Sequence, residues 1–173
     1  MASRGKTKVI DKGYNALRNK IAQMAASPGG AHVKVGFIAD GAGSEDHGDG
    51  LTVTQVAVFN EFGTSTAPER AALRTTADEI KPSMATLADR MLDKIVQGKS
   101  TVKQALEIMG LKAQAAIREA INNWTTPPNA PSTIRQKGAN NPLVDTGQMR
   151  NSVEFESVCA SPKSVRPSVV SDS

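Results

Sequence analysis

The chain has one cysteine, two histidines and few aromatics: one Trp, one Tyr and four Phe in 173 residues. Each scarcity excludes something. Cys159 alone forms no internal disulfide, so the fold uses no covalent staple and suits a reducing compartment. His32 and His47 are the only imidazoles, and Cys159 has no basic neighbour in sequence to lower its pKa, so no nucleophilic triad is offered. Aromatics at 3% leave the core to Leu, Ile, Val, Ala and Met. A hydrophobic content of 39% is slightly low for a compact globule. Together these suggest a subunit completed partly by its neighbours. No run approaches the about 20 apolar residues of a membrane span. The basic start, Met1 to Lys6, is followed by no apolar stretch of signal-peptide length, so a soluble protein is expected.

What is present fits one domain with tails, long enough to bury a core. The net charge of +4 is uneven. Arg4, Lys6, Lys8, Lys12, Arg18 and Lys20 face only Asp11 near the start. Such an arm can bind nucleic acid through its phosphates, or simply form a solvated helix face; a recognition motif and stacking aromatics are missing.

Val9, Ile10, Tyr14, Leu17, Ile21 and Met24 recur at helical spacing, which predicts an amphipathic helix stopped by Ser27-Pro28-Gly29-Gly30. His32 to Ile38 alternates and reads as a strand. Residues 39–50, with four glycines among acids, read as a mobile loop. Over 52–62, Val53, Val56, Val58 and Phe59 tolerate a strand. Thr52 with Gln55 as a capping box and Gly63 as a C-cap favour a helix instead. Thr64 to Pro68 is a loop. Apolar stripes over 79–97 and 101–124, joined at Gly98, predict a long helical hairpin, with Thr101 and Gln104 as a second capping box. Three prolines between Thr125 and Pro131 break the helix. A short helix from Pro131 to Lys137 closes at Gly138. Asp145 is expected to cap another through Gln148, and Val153 and Phe155 share one face of a final strand ending near Cys159. Residues 160–173, rich in Ser and Pro, form a tail, disordered alone or ordered against a neighbour.

Three motifs invite chemistry. Leu143-Val144-Asp145-Thr146-Gly147 looks like the signature of aspartic proteases, in which two such loops share a proton. No glycine follows Gly147 to complete that fold, and the residues upstream are helical. Gly98-Lys99-Ser100 matches the end of a phosphate loop, but Asp93 stands where its first glycine belongs and a helix precedes it. Glu45, Asp46, His47 and Asp49 could attract a hard cation but lack EF-hand spacing. Nothing here assembles a catalytic, metal or cofactor site, so no enzyme is expected.

Two longer segments carry a resemblance. Val56 to Asp78 reads VAVFNEFGTSTAPERAALRTTAD, and Ile117 to Val153 reads IREAINNWTTPPNAPSTIRQKGANNPLVDTGQMRNSV. In this order they resemble the bacteriophage tail-completion, or virion morphogenesis, family, related to minor tail protein Z of phage lambda. The matching residues are Asn60, Glu61, Phe62, Gly63 and Thr64; Pro68, Arg70, Leu73 and Arg74; then Leu143 to Gly147, Arg150 and Ser152. The likeness spans about 30–158. Ala71-Ala72 depart from the family's Pro-Phe, and the Ser-rich tail replaces a longer final strand region.

The resemblance implies a ring-forming structural protein of the head–tail neck, assembled in the bacterial cytoplasm and carried in the virion. Six copies are favoured and twelve possible. Connector and tail-terminator proteins are the implied partners. DNA would pass through the ring unread, and neither membrane nor cofactor is involved. Alternatives are a tail terminator or head-closure connector, or a DNA-binding protein using the basic arm. The expected interface comprises Asn60, Glu61, Phe62, Gly63, Thr64, Pro68, Arg70, Arg74, Asp145, Thr146, Gly147 and Arg150. Its arginines would meet acids such as Glu61 and Glu69 on the adjoining copy. The expected fold is α+β: a small antiparallel sheet packed with the hairpin and an N-terminal helix. It divides into a helix or arm over 1–30, a tail-completion-like domain over 31–159 and a tail over 160–173.

Overall fold

A computed structural model of the chain describes residues 30–159, apart from Ala39 and Asp49, together with Asn19. The expected N-terminal helix, Asn19 excepted, and the C-terminal tail lie outside the described residues. The order is β1 (His32–Gly36), a 3-10 turn (Ala42–Ser44), β2 (Asp46–Gly48), β3 (Leu51–Thr52), α1 (Val53–Phe62), α2 (Ala72–Val96), α3 (Val102–Asn123), α4 (Pro131–Lys137), α5 (Gln148–Asn151) and β4 (Glu154–Val158). The fold is α+β, as the periodicities predict.

β1 and β4 pair antiparallel, from His32 opposite Val158 to Gly36 opposite Glu154. This two-stranded ribbon would not survive alone in water; it lies on α3. Gly110 permits the approach, because a Cβ there would collide with the ring of Phe155. A mid-helix glycine costs about 1 kcal/mol relative to alanine, and the close seat of Phe155 is its return. The region read as a mobile loop is partly ordered among the described residues. Asp46–Gly48 pairs with Leu51–Thr52, and the Ala42 N–H donates to Glu154 Oε2 at 3.3 Å.

Both capping boxes form. Thr52 Oγ1 accepts from the Gln55 N–H at 3.3 Å, and the Gln55 amide oxygen accepts from the Thr52 N–H at 2.8 Å. Thr101 and Gln104 repeat the arrangement at the start of α3. Gly98 and Gly138 hold positive φ after α2 and α4, where a helix must stop.

Two expectations are corrected. α2 begins at Ala72, not at 79, and carries Pro82 inside it. Its N-cap residue Ala71 makes no side-chain cap; the cap comes from another helix, so no local signal marks the start. Asp145 does not cap α5. Gly147, in the left-handed region at φ 81°, precedes that helix, and Thr146 Oγ1 accepts the Gln148 N–H at 3.3 Å. Asp145 instead lies exposed beside Lys137 Nζ, 3.7 Å away.

Two apolar clusters hold the described residues together. The larger joins Val53, Ala57, Ala72, Ile117, Ile121, Leu143, Met149 and Val153. The smaller, toward the hairpin tip, joins Met91, Ile95, Val102 and Ala105.

Candidate functional site

The Asn60–Arg74 segment is built as a knot between α1 and α2. The first turn of any helix leaves N–H groups without partners. Here Glu61, 8% exposed, supplies them. Its carboxylate accepts from the N–H groups of Leu73 at 3.0 Å and Arg74 at 2.9 Å. A carboxylate there also meets the positive end of the α2 dipole. Between the helices, Gly63 turns at φ 74°, and the Thr64 N–H donates to the Ala67 carbonyl at 2.9 Å. Thr64 Oγ1 accepts the Ala67 N–H in return. Pro68 is exposed on this turn. The Arg70 N–H donates to the Asn60 carbonyl, fixing the return of the chain.

Arg70 corrects the sequence reading. It was expected to reach across an interface, yet it is 8% exposed. Nε donates to the Pro127 carbonyl at 3.1 Å and Nη2 to the Pro128 carbonyl at 3.2 Å. Burial pushes its pKa down from the ordinary value, though an arginine inside a protein stays protonated. The side chain ties the start of α2 to the proline-rich link after α3. The carboxylates proposed as partners on another copy are used within the chain. Arg74 Nη2 meets Glu69 Oε1 at 2.6 Å, its Nε lies 3.8 Å from Glu61, and its guanidinium sits 5.7 Å from the Phe62 ring centroid.

The Leu143–Ser152 segment meets this knot from the other side. Leu143 and Met149 enter the same cluster as Ala72, so the two motifs share one core. Ala72 is itself buried. Ser152 is buried and donates to the Gln148 carbonyl at 2.9 Å. Asp145 and Thr146 are exposed at the turn. Arg150 is half-buried, and its guanidinium donates to Asn151 Oδ1 through Nε at 3.2 Å and Nη2 at 3.0 Å. Among the described residues, no group of three His, Cys, Asp or Glu could hold a metal ion. No described helix is long and apolar enough to cross a membrane.

With Glu61 turned inward, part of the apolar surface of α1 is left outward. Val53, Ala57 and Glu61, one helical face at four-residue spacing, are the buried ones. Val58, Phe59 (43% exposed) and Phe62 (66% exposed) face out. Val58 and Phe62 border an open groove of about 510 Å³ whose lining also includes Val35, Phe37, Leu73 and Arg74. Sequence reasoning named Phe62 but missed Val58 and Phe59. The signal was there: α1 is apolar nearly all round, and a helix of that kind is covered on every side or waits for a partner.

Comparison of the chain with protein-family models, characterised proteins and solved structures finds no match. The functional reading therefore stands on the residues and their geometry.

Proposed function

We propose that this chain is a structural subunit of a bacteriophage neck, of the tail-completion kind, forming a homo-oligomeric ring through which DNA passes to the tail. The observation that carries the reading is the outward face of α1. Two of the chain's four phenylalanines lie exposed side by side on it. A chain this poor in aromatics does not gain by leaving them in water, since burying such a side chain is worth about 1.5–3 kcal/mol. Aromatics are also enriched at the centres of protein interfaces. The ring contact accordingly runs through Val58, Phe59 and Phe62, with the Arg74–Glu69 pair at its rim. Arg70 and Glu61 shape that surface from inside. A ring interface is heterologous, so this face meets a different surface of the adjoining copy. Six copies match a tail of sixfold symmetry. Connector and tail-terminator proteins are the neighbours the reading implies, in the virion after assembly in the host cytoplasm.

The test is genetic. A Phe59→Glu/Phe62→Glu subunit should fold with an unchanged circular dichroism spectrum and melting temperature, because neither side chain serves the core. It should fail to complement a phage lacking the gene, leaving filled heads and separate tails. Normal infectious particles carrying the double substitution would overturn the reading.

A further inference from the structure

The hairpin tip carries a second apolar surface, remote from α1. A groove of about 230 Å³ opens there, lined by Ala31, Leu92, Ile95, Val102, Leu106 and Met109 among others. Leu92 is exposed at its edge, and Val96 is exposed one turn further on. Ala31 packs on the cluster beneath, so the chain enters the described domain at the groove itself.

We propose that this groove is the seat of the chain's own residues 9–24, docked as an amphipathic helix whose Leu17, Ile21 and Met24 fill it. Three observations select this occupant. The segment carries large apolar side chains at helical spacing that need a surface, and Asn19, on its polar side, is helical and exposed. The tether is short: residues 25–30 join Met24 to Ala31, a reach of at most about 25 Å. Ala88 to Ile95 offers about two helical turns of groove, roughly 10 Å, which suits the two turns nearest the tether. Charge agrees as well. The segment holds Lys12, Arg18 and Lys20, and α2 presents exposed Asp89 and Asp93, each three residues before Leu92 or Val96 on the same face. The C-terminal residues also leave beside this cluster, at Cys159. They fit it less well: Pro162 and Pro167 interrupt them, and valines are their only large apolar groups. The basic arm would thus be a packed element of the subunit, with only residues before Val9 left to reach outward.

Methyl-labelled full-length protein tests this without perturbing it. Nuclear Overhauser contacts from the Ile21 δ1 methyl to the Leu92 and Met109 methyls are expected. They should persist in a sample mixing labelled chains with an excess of unlabelled ones, which keeps contacts within one molecule. Contacts that vanish on such mixing would show a second copy in the groove and overturn the proposal. So would contacts from Val165 or Val169 in place of Ile21, or no contacts at all. A second reading uses Leu17→Asp. Amide exchange at Ile95 and Ala105 should quicken by about tenfold while Ala57 and Ile121 keep their rates; unchanged exchange at Ile95 would overturn it equally.

Discussion

The two ends of the long hairpin solve different problems. Near α1, the ordinary sorting of side chains is partly reversed. A carboxylate and a guanidinium are drawn inside, at Glu61 and Arg70, while Phe59 and Phe62 are left outside. At the tip no charged side chain is drawn inside: Met91, Ile95, Val102 and Ala105 are buried, and the surface beside them mixes exposed Leu92 and Val96 with charged Asp93 and Lys99. A buried ion is costly unless its hydrogen bonds are satisfied, so the α1 end carries an expense that the tip avoids. What it obtains is geometry. Glu61 starts α2 where no local residue does, and Arg70 fastens α2 to the link after α3. Those ties fasten the end of α1 to the start of α2, and the start of α2 to the link after α3. Glu61 and Arg70 are thus scaffold here, and their apolar neighbours Phe59 and Phe62 are the exposed groups, which the proposed ring would cover.

The comparison can be broken most severely at the α1 end. Ile117 is buried in the larger cluster, and an unpaired aspartate there should cost several kcal/mol, enough to unfold or aggregate the subunit. Lys99→Asp, on an exposed site at the tip, should leave the melting temperature within a degree or two of the parent. Equal effects in thermal melts would erase the distinction between core and surface. Next in size is Arg70→Ala, which abandons two carbonyls and should lower stability by about 2 kcal/mol in urea unfolding. Arg70→Lys should recover little, because a point charge on a flexible stem does not reproduce two donors in a fixed plane. Full recovery by lysine would mean that charge alone matters there. Smaller again is Gly110→Ala. Helix propensity favours alanine by about 1 kcal/mol, yet collision with Phe155 should make the net change destabilising by about 1 kcal/mol. A gain in stability would show that β4 is free to move off α3.

The helices with local punctuation were readable from sequence. Thr52-x-x-Gln55 and Thr101-x-x-Gln104 announce helix starts because both partners of the cap lie within four residues. Gly98 and Gly138 announce stops because their φ values favour glycine. The start of α2 was hidden because its cap, Glu61, sits on the preceding helix and becomes a cap only when the chain folds back. Arg70 was misread for the same reason: its partners, the carbonyls of Pro127 and Pro128, are far along the chain and have no side-chain signature. Asp145 was misread as a cap because Asp before a short helix is common, whereas Gly147 and Thr146 make this turn. The apolar surface of α1 was half legible. The residues around the helix are apolar on all sides, but periodicity cannot say which side meets the core when small Ala57 and large Phe59 compete for it.

A photoactivatable benzophenone amino acid in place of Phe62, irradiated in assembled particles, tests the central claim most directly. The account predicts crosslinking to another copy of this chain, giving dimers and higher multiples on a denaturing gel. The same label at Lys99, an exposed residue at the hairpin tip, should give none of that ladder. A Phe62 label that yields only uncrosslinked subunit in otherwise intact particles would contradict the account, because the outward face of α1 would then touch no neighbour.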